Sequence, residues 1–211
     1  MLRVCEIFKS IQGESSFAGN VCSFIRLSGC NLRCSYCDTE YAWEEGEDRS
    51  IDEVLTMVRE HRTSLVEITG GEPLLQAETP QLCGRLLNLD YTVLVETNGS
   101  LDIAVLPAEV RRIVDIKCPS SGHAGSFLEK NFHNLRQGDE CKFVISDNDD
   151  FFWAIETVRR ENLSETAPVI FSPNTAALAP RDLAEWIIEE NAPVRLGVQL
   201  HRVIWGEKRG V

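Results

Sequence analysis

The stretch Val21-Cys22-Ser23-Phe24-Ile25-Arg26-Leu27-Ser28-Gly29-Cys30-Asn31-Leu32-Arg33-Cys34-Ser35-Tyr36-Cys37 decides how the rest of the chain is read. An apolar, strand-like run from Val21 to Ser28 leads into a loop that carries Cys30, Cys34 and Cys37 in a C-x3-C-x2-C array. A cubic 4Fe-4S cluster has four iron corners, so three thiolates leave one iron open to an external ligand. Structural zinc takes four protein ligands, usually as two C-x2-C-like pairs. No second pair occurs, although Cys22 or Cys5 could supply a fourth thiolate, so zinc stays open as the alternative. Cys5, Cys22, Cys83, Cys118 and Cys141 are scattered through regular-looking segments and read as small buried hydrophobes.

Working outward, short β-rich runs alternate with helical patterns. Strands are expected near Val21–Ser28, Leu65–Thr69, Thr92–Thr97, Ile113–Lys117, Glu140–Ser146, Val169–Ser172 and Arg195–Leu200. Most read as apolar almost throughout, as strands buried on both faces of a parallel sheet do. A capping box, Ser50 with Glu53, opens the first clear helix; others follow at about Pro80–Leu89, Asp150–Asn162 and Pro180–Glu190. Gly99 to Arg112 leaves room for only a short helix, and Pro119 to Asp139 reads mainly as loop. The alternation predicts α/β architecture with a mainly parallel sheet. Since a complete (β/α)8 barrel needs ~250 residues, the 211 residues fit an incomplete barrel with shortened helices, in one domain over residues 1–211.

With 21 basic against 33 acidic residues the chain carries a formal charge of -12, and no positive stripe suits a nucleic-acid backbone. A small-molecule substrate is expected instead. No segment approaches the ~18 consecutive apolar residues of a membrane span, and the amino terminus has no signal-like run, which predicts a cytoplasmic protein with no membrane partner. In a reducing compartment its thiols stay available to metal.

The unusual residues all follow predicted strands: the cysteines, Thr69-Gly70-Gly71-Glu72-Pro73, Glu96-Thr97-Asn98-Gly99, Lys117-Cys118-Pro119 and Ser172-Pro173-Asn174. The cysteine loop followed in order by the G-G-E-P segment resembles the radical S-adenosylmethionine (SAM) superfamily. That resemblance implies that the amino and carboxylate groups of SAM chelate the open iron of the 4Fe-4S cluster, and that an electron from an external donor releases a 5'-deoxyadenosyl radical. Ile11-Gln12-Gly13-Glu14, Phe24-Ile25-Arg26, Cys37-Asp38-Thr39, Gln199-Leu200-His201-Arg202 and Arg209-Gly210-Val211 narrow it. Across nearly the whole chain they look like the 7-carboxy-7-deazaguanine synthase family. This family converts 6-carboxy-5,6,7,8-tetrahydropterin to 7-carboxy-7-deazaguanine with loss of ammonia, uses SAM and Mg2+, and is commonly homodimeric.

Carried over residue by residue, the resemblance implies that Ile11, Gln12, Gly13, Thr69 and Val211 contact the pterin while Arg26 pairs with its carboxylate. It implies SAM contacts at Tyr36, Cys37, Asp38, Gly71, Glu72, Asp115, Ile116, Lys117, Ser172, Pro173 and Asn174, with Glu72 taking the methionine amino group. Thr39 is implied as a Mg2+ ligand. Two rival readings stand beside this one. A glycyl-radical activating enzyme would share the cluster loop and small barrel but leaves the Gln12-Gly13-Glu14 segment and the Gln199 to Val211 ending unexplained. A non-enzymatic metal protein leaves Gly70-Gly71-Glu72-Pro73 without a purpose.

Overall fold

The apolar run before the cysteines forms strand β2 (Val21–Leu27), here described in a computed structural model covering residues 1–211. It pairs in parallel with β4 (Leu65–Gly70), and parallel pairing continues through β5 (Thr92–Thr97), β6 (Arg111–Asp115), β7 (Glu140–Ile145), β8 (Val169–Pro173) and β9 (Arg195–Leu196). Two strands on the other side of β2 are antiparallel: β1 (Leu2–Ile11) pairs with both β2 and β3 (Glu47–Arg49). The sheet runs β3-β1-β2-β4-β5-β6-β7-β8-β9 and does not close, so the expected incomplete barrel is what forms.

Sequence reading missed β1 and β3. In β1, Leu2 and Val4 face the core, but a bulge between Val4 and Glu6 shifts the register and spoils the period-two pattern by which strands are recognised. The expected strand over Arg195–Leu200 is corrected to two residues. Gly197 still donates its amide to the Phe171 carbonyl (2.8 Å) and packs so close to β8 that a Cβ would collide with Ile170 and Ser172, but the ladder goes no further and from Leu200 the chain forms a short helix.

Of seven helices, the long ones cover the outer face, and the last borders the cavity. α1 (Ile51–His61) begins at the expected capping box, in which Ser50 Oγ accepts from the Glu53 amide and the Glu53 carboxylate accepts from the Ser50 amide. α2 (Thr79–Leu87), α4 (Asn148–Arg160) and α6 (Pro180–Glu189) are the other long ones, with α3 (Asn131–Asn134), α5 (Leu163–Thr166) and α7 (Leu200–Trp205) each a turn or two. The trimmed crossovers around β6 have their own brace. Buried Arg112 pairs with buried Asp139 and also donates to the carbonyls of Ile103 (3.1 Å) and Asn134 (2.7 Å), one in each short connection.

The strands are not apolar on both faces, and this is the correction that matters for function. Val66, Ile68, Val93 and Val95 point outward into a core with Val54, Leu55, Val58, Leu82 and Leu86 of α1 and α2. Val114, Phe143 and Phe171 do the same beneath α4 and α6. On the inner face Cys22, Leu65, Leu94 and Ile113 close the amino-terminal end as an apolar plug. Above it the inward positions turn polar: Arg26, Glu67, Thr69, Glu96, Asp115 and Lys142. Each fully buried Leu, Ile or Val on the outer face contributes about 1.5–3 kcal/mol, which offsets the cost of gathering those charges inside.

Candidate active site

The polar inner layer and the loops beyond it enclose a cavity of about 700 Å3 at the carboxyl ends of the strands, where barrel folds place ligands. Cys30, Cys34, Tyr36, Cys37, Asp38 and Thr39 line one side. Ile11, Gln12, Gly13 and Arg26 line another, together with Thr69, Gly71, Asp115, Lys117, Ser172, Pro173, Asn174 and Val211. Nearly all the residues selected from sequence therefore meet in one space. Cys5, Cys22, Cys83, Cys118 and Cys141 stay outside it.

Two selected residues do not reach it. Ile116 is buried in the outer core beneath α4, so its side chain has no access to a ligand. Glu72 is fully buried; its carboxylate accepts from the Leu74 amide (2.9 Å), the Thr97 hydroxyl (2.8 Å) and the Asn98 amide (2.7 Å). Burial raises its pKa and these three donors only partly offset that. Instead of facing a methionine amino group, Glu72 ties the turn after β4 to the end of β5.

The cysteine loop is anchored from below and beside. The Glu72 amide donates to the Gly29 carbonyl (2.8 Å) and the Gly71 amide to the Leu27 carbonyl (3.1 Å). A Cβ at Gly71 would run into that Gly29 carbonyl, and Gly70 has φ of +134, so this close approach needs both glycines. On the far side, Ser35 Oγ donates to the Ser120 carbonyl (2.6 Å) and the Arg33 amide to His123 Nε2 (3.0 Å). The three free, half-buried cysteines face the cavity without converging on a point that one ion could fill. That donor set fits a cubic cluster, in which each thiolate takes a separate iron, better than tetrahedral zinc.

The floor is an ionic network that sequence reading did not assemble. Lys142 Nζ donates to Glu14 Oε2 (2.6 Å) and Glu96 Oε1 (2.5 Å) and lies 3.6 Å from Asp115 Oδ2, which also accepts from Lys117 Nζ (2.9 Å). Burial opposes the charges of Lys142, Lys117, Glu14 and Asp115. The surrounding carboxylates nonetheless hold Lys142 well above the usual lysine range, and the lysines hold Glu14 and Asp115 below the usual carboxylate range. Glu67 is the exception: burial, with the charges of Glu96 and Glu14, pushes its pKa up to about 8. It accepts from Gln12 Nε2 (3.1 Å), and Gln12 Oε1 in turn accepts from the Glu14 and Ser15 amides (3.0 Å each), which fixes the loop after β1. Glu14 was quoted in its motif without a role, and Glu67 and Lys142 were missed because each is a single charge inside a run read as a buried strand. The usable signal was alternation, with Val66 and Ile68 facing out and Glu67 and Thr69 facing in.

Arg26 donates through Nε to Glu6 Oε1 (2.8 Å), while its terminal nitrogens make no hydrogen bond to protein. Thr39 stands at the start of a short 3-10 turn but does not cap it; its hydroxyl donates to Asp38 Oδ1 (2.8 Å). Asp38 also accepts from Gln199 (3.4 Å) and Arg202 (3.3 Å), residues quoted from the chain ending to which no role was attached. Burial works against its charge, but the Thr39 hydroxyl, Lys142, Arg202 and Gln199 outweigh it and keep Asp38 ionised.

The Radical SAM superfamily matches residues 24–172. Over its full length the chain is 44% identical to the 7-carboxy-7-deazaguanine synthase of Koribacter versatilis, covering 100% of both chains. It is 42% identical to the enzyme of that name from Chlorobaculum tepidum, covering 97% of that protein. The crystal structure of QueE from Escherichia coli superimposes with a TM-score of 0.79 at 23% identity, covering 95% of this chain and 94% of that one, a likeness of fold.

Proposed function

The chain belongs to the 7-carboxy-7-deazaguanine synthase family of the radical SAM superfamily, and from that premise we propose the task of each part of the cavity. The reaction is conversion of 6-carboxy-5,6,7,8-tetrahydropterin to 7-carboxy-7-deazaguanine with loss of ammonia, on the route to queuosine and related 7-deazapurines. One observation carries the reading: the cysteine loop and Arg26, on adjacent segments of one strand and its loop, open into the same cavity.

Cys30, Cys34 and Cys37 hold a 4Fe-4S cluster, and Tyr36, Asp38, Gly71, Asp115, Lys117, Ser172, Pro173 and Asn174 frame the space for SAM. When bound, this pair supplies the hydrogen-abstracting radical. The protein's own residues position and charge-balance the substrate. The free terminal nitrogens of Arg26 suit a carboxylate, because a guanidinium fork makes two parallel bonds that fix orientation as well as charge. Ile11, Gln12, Gly13, Thr69 and Val211 bound the remaining pterin space. Loss of ammonia requires a proton on the departing nitrogen, and the floor offers one at a fixed place, on the Glu67 carboxyl, while the Lys142 ammonium stays charged among its carboxylates. Thr39 with its unused lone pairs is assigned to Mg2+, a hard ion that takes few protein oxygens and completes its shell with water and substrate.

The whole chain acts as one domain in the cytoplasm, reduced by an external electron donor, and as a homodimer. Leu196, Val203 and Ile204, exposed on β9 and α7 at the open end of the sheet, support a subunit contact there. No helix is long and apolar enough to cross a membrane. The test is substrate-gated SAM cleavage in the anaerobically reconstituted protein. Because loss of ammonia alone leaves the conversion redox-neutral, the abstracted hydrogen must return, and product should form in excess of any 5'-deoxyadenosine released; stoichiometric 5'-deoxyadenosine release prompted by a glycine-containing polypeptide instead would establish the activating-enzyme reading.

A further inference from the structure

The bulge in β1 has a specific result. Before it, Val4 lies across from Leu27; unbroken, that register would place Cys5 opposite Arg26, but the extra residue places Glu6 there instead. Cross-strand neighbours at that spacing interact directly. Glu6 Oε1 accepts from Arg26 Nε (2.8 Å) and from the Tyr41 hydroxyl (2.9 Å), and Oε2 accepts from Arg209 Nε (3.2 Å). One carboxylate thus gathers the cavity arginine, the turn after the cysteine loop and the segment that ends at Val211. The Arg209 guanidinium lies 3.7 Å from the centre of the Tyr41 ring, and its other nitrogen pairs with Glu45 at 2.9 Å. Burial raises the Glu6 pKa, yet Arg26, Tyr41 and Arg209 outweigh it and hold the group ionised.

We infer that Glu6, with Tyr41 and Arg209, is a positioning assembly that aims the free terminal nitrogens of Arg26 at the substrate carboxylate and latches residues 209–211 across that end of the cavity. A guanidinium held by Nε cannot rotate about its long axis, so its opposite edge is presented in one orientation. The same carboxylate holds Arg209, so closure of the segment and aim of Arg26 are coupled: when the latch is formed, Val211 borders the cavity. This rests on the reading that Arg26 binds the carboxylate.

The test compares the affinity of SAM-loaded, reconstituted protein for 6-carboxypterin, the oxidised and unreactive form of the substrate, and for pterin lacking the carboxylate. The ratio of the two affinities measures carboxylate recognition, and a merely structural role would not move it. The parent should prefer 6-carboxypterin, and Arg26→Lys should abolish the preference. Glu6→Gln and Arg209→Ala should each reduce it at least tenfold while affinity for SAM stays within twofold. Arg209 is partly exposed, so that variant and Tyr41→Phe, expected to reduce it threefold or more, carry the test should Glu6→Gln fold poorly. If Arg26→Lys abolishes the preference while Arg209→Ala and Tyr41→Phe keep the parental ratio, the latch is refuted and the carboxylate reading stands. If Arg26→Lys itself keeps the ratio, the carboxylate reading falls and the latch with it.

Discussion

Glu72 and Thr39 show how far a residue's type reveals its task. Glu72 sits in the motif that identifies the superfamily, yet both of its oxygens are spent on backbone amides and a threonine. In Glu72→Gln the new amide group would face N–H donors, and an unsatisfied buried donor costs about 1–3 kcal/mol. Chemical denaturation should therefore show a loss of that size, with SAM affinity unchanged; unaltered stability with weakened SAM binding would return Glu72 to the ligand. For Thr39 the proposal is the opposite, a side chain whose hydroxyl serves an ion. Thr39→Ala should lower turnover at least tenfold and blunt its dependence on Mg2+, with cluster content unchanged. A Mg2+ activation curve that overlays the parent's would show that the hydroxyl is only a partner of Asp38.

At the scale of elements, the alternation within β4 makes a pH prediction. Glu67 keeps its proton in the folded protein up to about 8, whereas in the unfolded chain it ionises near its model-compound value of 4.5. Between those values the unfolded state binds fewer protons, so this group's contribution is fully present below pH 4.5 and is lost as pH rises through about 8. The slope is at most ~1.4 kcal/mol per pH unit. Denaturation midpoints across that window should decline less steeply in Glu67→Gln than in the parent; parallel declines would show that Glu67 is ionised throughout. Legibility follows the same geometry. β2, the strands from β4 to β8 and the long helices were readable because outward residues such as Val66 and Ile68 form near-continuous patterns. β1 was hidden by its bulge, and β9 was overextended because the alternation of Leu196, Val198 and Leu200 runs on past the strand into α7. The cavity rim was legible through its motifs. Its floor was not, since Glu14, Glu67 and Lys142 come from distant parts of the chain: the parallel register of the sheet brings Glu67 and Lys142 to one face, and the antiparallel β1 delivers Glu14 from the loop that follows it.

For the whole molecule, an open sheet with trimmed crossovers leaves one polar cavity at the strand ends, sealed below by Cys22, Leu65, Leu94 and Ile113. Buried charge in that cavity is tolerated because acids and lysines are interleaved: Glu14, Glu96 and Asp115 surround Lys142, and Asp115 also holds Lys117. This leaves Arg26 as the guanidinium whose terminal nitrogens are unbonded to protein in the same space as the cluster loop. The central claim is that this space performs one chemical conversion, and the direct measurement is anaerobic turnover of 6-carboxy-5,6,7,8-tetrahydropterin by protein reconstituted with iron and sulfide and supplied with SAM, Mg2+ and a reductant. Mass detection should find 7-carboxy-7-deazaguanine, lighter than the substrate by one ammonia, with ammonia released in equal amount by the parent and by Cys83→Ala but not by Cys34→Ala. Intact carboxytetrahydropterin after SAM has been cleaved, or full activity in Cys34→Ala, would contradict the account.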